Sequence, residues 1–424
     1  MPSFLSNRIK VIDKTALYSI AQLLVRALSG PLSILLIAKN LTIDQQAVYY
    51  IFISIAAVQW IFELGMSTCL VQVISGEDCQ SKTNNYLTFG GVYFLLSSVA
   101  TLVFTTLYCY WVLGEKDLEV WFIPWLVYIT SLAGTILINI VLIAEESTGK
   151  RKSVYQAKFY SGVFQSTILL FALYLGGGLY ALGLGGWAYV VLLSFILRKQ
   201  VRYISSLFDE IKRENLKNTF KELIPFQSRT AIVWISGYIY WNFYNIYIYK
   251  YISVDFSAQF GLVNAALSAI SFAMLAIFQT KRSDISKSIF SNRKNETKEV
   301  FTNAIIVACI GYIILSLFFV YLSELISISE RLLSGEVLWT FITLRFLSMI
   351  LEFILIYLRC FRFEPLSKIT VFSYVLIPIS SILSHFIFGY KGLFVIPIFL
   401  HAIFLYISFS KAKRFIDNFE GKNV

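Results

Sequence analysis

The chain is 424 residues long, 57% hydrophobic and only 14% charged, and it carries a formal net charge of +11. A soluble globular domain is about 45–50% apolar, so this composition, with 37 Phe and 26 Tyr, excludes an ordinary soluble fold and places the chain in a membrane. The positive charge does not point to nucleic acid, because basic residues flanking apolar spans set membrane topology and meet anionic lipid.

The first 14 residues carry charges but no short apolar core with a small-residue cleavage site, so the apolar run after them reads as an uncleaved first helix. About 20 apolar residues are needed to cross a hydrocarbon core of about 30 Å. Runs of that length are predicted at 15–38, 47–74, 86–113, 120–144, 157–176, 179–197, 222–249, 258–279, 299–321, 338–358, 367–388 and 392–410. Lipid leaves no water for unpaired backbone groups, so spans this long and apolar must be helices. The glycines from Gly176 to Gly186 mark the turn between the fifth and sixth spans.

Topology follows from the basic residues. With twelve spans, 28 of the 36 Lys and Arg fall on one side and five on the other, and three lie within spans. That split predicts cytoplasmic N- and C-termini. A missed or invented span would scramble the alternation of every later loop, so the split also supports twelve.

An internal repeat divides the chain. IAKNLTIDQQAVYY from Ile37 aligns with IYKYISVDFSAQFG from Ile248 at an offset of 211 residues, matching Lys39 with Lys250, Thr42 with Ser253, Asp44 with Asp255 and Ala47 with Ala258. Both copies fall at the outer turn after the first helix of a six-helix half. The predicted fold class is therefore all-α and integral to the membrane, with about twelve transmembrane helices in two six-helix halves. A central cleft lies between the halves, whose pseudo-two-fold axis runs along the membrane normal. The predicted divisions are an N-terminal half at 1–198, a basic cytoplasmic linker at 199–221 and a C-terminal half at 222–424.

Three arginines, Arg26, Arg229 and Arg345, fall inside spans. A charge in hydrocarbon costs about 2.5–3.5 kcal/mol on insertion scales, so such a residue faces a cavity or a partner. Arg26 and Glu63 come to similar depth, about 17 Å from the cytoplasmic ends of their spans. They either neutralise each other or face an aqueous cleft. Arg345 and Glu352 share a helix face about 10 Å apart in height, and Arg229 is close enough to the interface to snorkel. Three fixed cations against Glu63 and Glu352 favour an anionic cargo, and the planar guanidinium fork suits phosphate oxygens.

Tyr240, Tyr244, Tyr247 and Tyr251 recur on one face of the seventh helix. That face fits either a sugar-binding surface or an interfacial aromatic belt. His385 and His401 fit a proton relay or hydrogen bonds between helices. The five cysteines have no metal-ligand or disulfide spacing, and no cofactor motif or catalytic cluster is visible.

The run from Ile37 to Glu77, with its E-L-G-x-S-T turn at Glu63 to Thr68 and the V-Q-x-x-S run after it, resembles bacterial polysaccharide flippases of the Wzx type. These belong to the multidrug/oligosaccharidyl-lipid/polysaccharide (MOP) exporter superfamily. Ala47 departs from the Gly found in many relatives, while Tyr49 is retained. The resemblance implies a non-enzymatic transporter in the inner membrane of a Gram-negative bacterium, moving an undecaprenyl-diphosphate-linked glycan such as an O-antigen repeat unit between leaflets. It implies coupling to an ion or proton gradient, contact with membrane lipid and with polysaccharide polymerase machinery, and no cofactor. On that reading Arg26, Arg229 and Arg345 hold the diphosphate, Tyr240, Tyr244 and Tyr247 meet the glycan, and Glu63 and Glu352 are coupling groups or charge partners. Two alternatives remain: a cation-coupled multidrug exporter of the same superfamily, disfavoured by the lack of any carboxylate between Lys14 and Asp44, and a membrane polysaccharide polymerase, disfavoured by short external loops.

Overall fold

A computed structural model of the chain describes residues 14–75, 77, 79–114, 118–210, 212–290, 294–333, 335–360 and 366–420. Among them there is no strand. The helices are α1 (Lys14–Asn40), α2 (Ile43–Ala56), α3 (Gln59–Glu63), α4 (Met66–Ser75), α5 (Gln80–Leu113), α6 (Leu118–Ser147), α7 (Arg151–Tyr174), α8 (Tyr180–Ile196), α9 (Arg198–Leu207), α10 (Arg213–Tyr251), α11 (Val254–Phe290), α12 (Lys294–Leu325), α13 (Gly335–Arg359), α14 (Ser367–Phe388) and α15 (Val395–Glu420). α2, α3 and α4 form one interrupted segment, and α9 is a short helix bent by 83° from α8. With that interrupted segment counted once and α9 set aside, the described residues make twelve long helical segments, one for each predicted span. Eight of them, from Ile43–Ser75 to Tyr390–Arg414, are long and apolar enough on length and composition to cross a membrane, and α8 with α9 adds a ninth. This is a multi-pass, all-α membrane fold.

The repeat is built into the backbone. α1 ends at Asn40 and α10 at Tyr251, while α2 begins at Ile43 and α11 at Val254, so both boundaries recur at the offset of 211. The shared residues explain why. The Thr42 hydroxyl accepts from the Gln45 N–H at 3.2 Å, closing a capping box, and the Ser253 hydroxyl accepts from the Phe256 N–H at 3.1 Å. Asp44 and Asp255 then place negative charge in the first turn, where the helix dipole favours it. Ala47 and Ala258 are both fully buried.

The chain folds as two compact units, a first reaching to Tyr238 and a second starting at Ile239. The boundary falls inside α10, whereas the sequence pattern puts a linker at 199–221. Most of that segment is helical, comprising α9, one 3-10 turn at Phe208–Glu210 and the start of α10. The N-terminal half of α10 is held in the first unit by side-chain bonds to α5. The Tyr86 hydroxyl donates to the Glu222 carboxylate at 2.7 Å, Asn215 donates to Asn85 at 3.0 Å, and Gln227 Nε2 donates to the Tyr93 hydroxyl at 2.9 Å.

Close approach of α6 and α8 depends on glycine. A Cβ on Gly183 would lie 2.6 Å from Val127 Cγ1 and 2.8 Å from the Tyr128 backbone nitrogen, the small-residue packing through which membrane helices approach without a hydrophobic driving force. The second unit is centred on aromatic rings. Phe260, Phe341 and Phe394 lie 4.8–5.9 Å apart, with Tyr244 packed against Phe260 and Phe394.

Candidate functional site

Of the three intramembrane arginines, Arg345 has a described side chain. Arg26 in α1 and Arg229 in α10 lie on helices, but their side chains are outside the described residues, and so is the Arg26–Glu63 pairing. Arg345, on α13, is only 6% exposed. Its Nη2 donates to the Ser268 hydroxyl of α11 at 2.8 Å, and its guanidinium carbon stands 4.7 Å from the Trp241 ring centroid. Among the described residues Nε has no hydrogen-bond partner, and no carboxylate lies within 4 Å of Arg345. The guanidinium is therefore a buried cation held by a hydroxyl and a π-face, with its charge uncompensated by a tight ion pair among those residues. Glu352 lies seven residues on in α13 and is half-buried.

The tyrosine face of α10 points inward. Tyr240, Tyr244 and Tyr247 are all buried, and each hydroxyl is engaged within the second unit. Tyr240 bonds to Ser348 of α13 at 2.5 Å, Tyr244 to Ser381 of α14 at 2.8 Å, and Tyr247 to His385 Nδ1 of α14 at 2.8 Å. Their spacing on one face is as the sequence predicts, and what that face meets is a serine–histidine row on two other helices. Tyr251, the fourth member, is exposed. The two histidines approach different tyrosines. His385 bonds to Tyr247, whereas the buried His401 ring lies 6.4 Å from the Tyr240 ring. Leu347 supplies a backbone acceptor near His401, yet neither ring nitrogen makes a well-formed hydrogen bond among the described residues.

Glu63 lies in the first unit, where its segment breaks. The Ser67 hydroxyl donates to its carboxylate. The Phe62 carbonyl, freed by the break, accepts from the Tyr93 hydroxyl at 2.8 Å and from the Ser97 hydroxyl at 3.1 Å. The sequence marks Glu63 to Thr68 as a turn but does not identify Tyr93, Ser97 and Gln227 as its support. The Leu-Gly pair after an acid in an apolar run is the signal available.

A cavity of about 300 Å³ opens between α1 and α7 in the first unit, lined by Ser29, Ser33, Gln165 and Ser166 with Val25, Phe159, Gly162 and Leu169. It combines hydroxyl and amide groups with an apolar wall, and none of these lining residues is charged. Scattered serines in apolar runs give no indication of it. Among the described residues there is no group of three or more His, Cys, Asp or Glu able to hold a metal ion.

The sequence matches no family model and no curated protein. Solved structures do match. An inward-facing multidrug resistance MATE family transporter of the MOP superfamily superposes with a TM-score of 0.67 at 13% identity, covering 96% of this chain and 99% of that one. The MATE multidrug transporter DinF-BH gives 0.61 at 14% identity with 96% of each chain covered. A MOP superfamily transporter from Pyrococcus furiosus, described as having a binding pocket of reverse polarity that suggests a different function, gives 0.54 at 11% identity with 97% and 96% covered. The chain therefore has the fold of MATE transporters of the MOP superfamily, twelve helices in two halves. These neighbours are named as drug or MOP transporters; the Wzx-type resemblance rests on residues 37–77 alone.

Proposed function

We propose that this chain is a MOP-type transporter that moves an amphiphilic organic cargo across a membrane by alternating access, without catalysing a covalent reaction. The full-length fold match to transporters, covering 96% of this chain and 99% of the other, carries that reading. The 28-to-5 distribution of basic residues supports cytoplasmic N- and C-termini, and the Wzx-type run at 37–77 supports a bacterial inner-membrane location.

The fold neighbours favour a cation-coupled exporter of drug-like amphiphiles, since two of those described above are named as multidrug transporters. A second cargo is favoured by charge. α1 has no acid between Lys14 and Asp44, and Arg345 is a buried cation without a carboxylate within 4 Å among the described residues. Together with the Wzx-type run at 37–77, these features support an undecaprenyl-diphosphate-linked glycan as cargo, its diphosphate drawn to Arg26, Arg229 and Arg345. Tyr240, Tyr244 and Tyr247 then line the side of the second unit that the glycan meets, Glu63 and Glu352 balance charge or couple, and polysaccharide polymerase machinery takes the product.

Deletion of the gene separates the two. Raised susceptibility to cationic dyes with intact surface polysaccharide supports the exporter. Loss of surface polysaccharide, with lipid-linked repeat units held on the cytoplasmic leaflet, supports the flippase. A deletion strain normal in both respects contradicts both cargo readings.

A further inference from the structure

The short helix α9 forms an elbow with α8. It is bent by 83° from that helix, so where α8 crosses the membrane α9 runs along the membrane plane at the end of the span. Its sequence, RKQVRYISSL, divides by face. At about 100° per residue, Val201, Ile204 and Leu207 fall on one side and Arg198, Lys199 and Arg202 on the opposite side. The apolar side packs on the first unit's core, and the three basic residues are exposed.

α9 is a fixed element and not a slack connection. Phe208, which follows it, fills the space in front of Gly91 of α5, where an added Cβ would lie 2.4 Å from the ring. The Tyr203 hydroxyl donates to Asn84 Oδ1 of α5 at 2.8 Å. The helix itself gains nothing from its cations, since Arg198 and Lys199 stand in the first turn, where the dipole favours negative charge. Nor are they paired: among the described residues no carboxylate lies within 4 Å of Arg198, Lys199 or Arg202. Asp209, the next acid along the chain, falls beyond the end of α9.

At the same elbow, the last two turns of α8 expose Val191, Phe195 and Ile196, with Phe195 at 65%. Exposed apolar side chains on a spanning helix meet lipid. The Arg198 guanidinium carbon stands 5.5 Å from the Phe195 ring centroid, so this cation lies against the lipid-facing side of the span. Tyr203 is also exposed, as an interfacial tyrosine is. Apolar side chains, then a tyrosine, then a row of cations follow the order in which a phospholipid presents its acyl chains, its carbonyl region and its phosphate. Counting Lys and Arg gives each loop a side of the membrane, but it assigns a ligand to none of them.

We propose that Arg198, Lys199 and Arg202 form a docking surface for the headgroup of an anionic phospholipid, whose acyl chains lie against Val191, Phe195 and Ile196. The proposal rests on the reading above in one respect, that α8 spans the bilayer. Arg198 and Arg202 stand about 6 Å apart along α9, with Lys199 beside them. Two guanidinium forks can hold phosphate oxygens while the ammonium adds a point charge. A zwitterionic lipid carries the same phosphate beside a cation of its own, so three unpaired cations select a headgroup of net negative charge. Each basic group at an anionic membrane surface strengthens association about fivefold.

The test is native mass spectrometry of the full chain purified in a neutral detergent, with phosphatidylglycerol and phosphatidylcholine added in equal amounts. The wild type is expected to retain phosphatidylglycerol in preference. In Arg198→Gln/Lys199→Gln/Arg202→Gln its association constant is expected to fall about 10- to 100-fold, with phosphatidylcholine retention unchanged. Lys411→Gln/Lys413→Gln/Arg414→Gln removes the same charge from exposed positions of α15 and is expected to keep the wild-type constant. An unchanged constant in the α9 variant overturns the proposal, and so does an equal loss in both variants, which reduces the effect to the overall charge of the chain. Excess inorganic phosphate is expected to leave the lipid bound, and displacement by it overturns the lipid assignment in favour of a free anion. If the triple α9 variant is not monodisperse, Arg202→Gln alone decides, with a fall of about fivefold expected and no fall contradicting the proposal. No cargo enters this measurement, so its failure removes the surface and leaves the transporter reading intact. A chain that keeps the lipid preference but moves no cargo in vesicles defeats the transporter reading instead.

Discussion

Replacing Arg345 by methionine separates a residue kept for function from one kept for packing. The guanidinium is buried at 6% exposure against Trp241 and Ser268. A desolvated cation–π contact is worth about 2 kcal/mol, and a hydrogen bond from a charged donor about 1.5–3 kcal/mol. Against these stands the cost of a charge at membrane depth, about 2.5–3.5 kcal/mol. The balance is a net stabilisation of about 1 kcal/mol, which methionine, of similar length and apolar, largely recovers by packing. Arg345→Met is therefore expected to shift the melting temperature by no more than about 2–4 °C. Arg345→Lys should be the less stable, because an ammonium cannot stack its plane on Trp241. A thiol-reactive dye provides the readout, since the exposed Cys79 sets the folded baseline and the buried Cys69, Cys109 and Cys360 add to it on unfolding. If Arg345 serves an anionic cargo, the methionine variant folds normally and transports nothing. A fall in melting temperature of more than about 10 °C, equivalent to roughly 3 kcal/mol or more, would show that the arginine is structural and refute the reasoning.

Three further outcomes follow from the packing. Thr42→Ala and Ser253→Ala should each cost about 1 kcal/mol as lost N-caps, and the double variant should show their sum in the same melting assay; unequal costs would break the equivalence of the halves. Gly183→Val should cost at least about 1–3 kcal/mol by overpacking against Val127 and the Tyr128 backbone, whereas Gly162→Ala, with nothing within 4 Å of the added carbon, should be neutral in expression and melting. Tyr240→Phe, Tyr244→Phe and Tyr247→Phe should each lower stability by about 1 kcal/mol through the lost hydroxyl bond, and full stability in all three would contradict their bracing role.

The membrane segments are legible because each is a continuous apolar run, a one-dimensional property that the bilayer alone enforces. The repeat is legible for a related reason, since Thr42 and Ser253 cap their own helices and need no distant partner. The tyrosine face of α10 illustrates where reading stops. Periodicity places Tyr240, Tyr244 and Tyr247 together, but Ser348, Ser381 and His385 lie more than a hundred residues away in the chain, and nothing local couples them. α9 shows a second limit. Lys199 and Arg202 fall in the predicted basic linker, and the sequence alone does not show that the buried Ile204 and the partly buried Val201 and Leu207 pack this helix on the first unit's core. The break at Glu63 is marked by Gly65, while its hydroxyl support from Tyr93 and Ser97 depends on how α5 folds against it.

The central claim is that this chain moves an amphiphile through the membrane. Reconstitution in liposomes under an imposed proton gradient tests it most directly, with a cationic rhodamine dye or a fluorescent polyprenyl-diphosphate oligosaccharide as the cargo. The account predicts protein-dependent, gradient-dependent movement of one of these two and its loss in Glu63→Gln. Movement of neither, by protein shown to be folded and inserted, contradicts it.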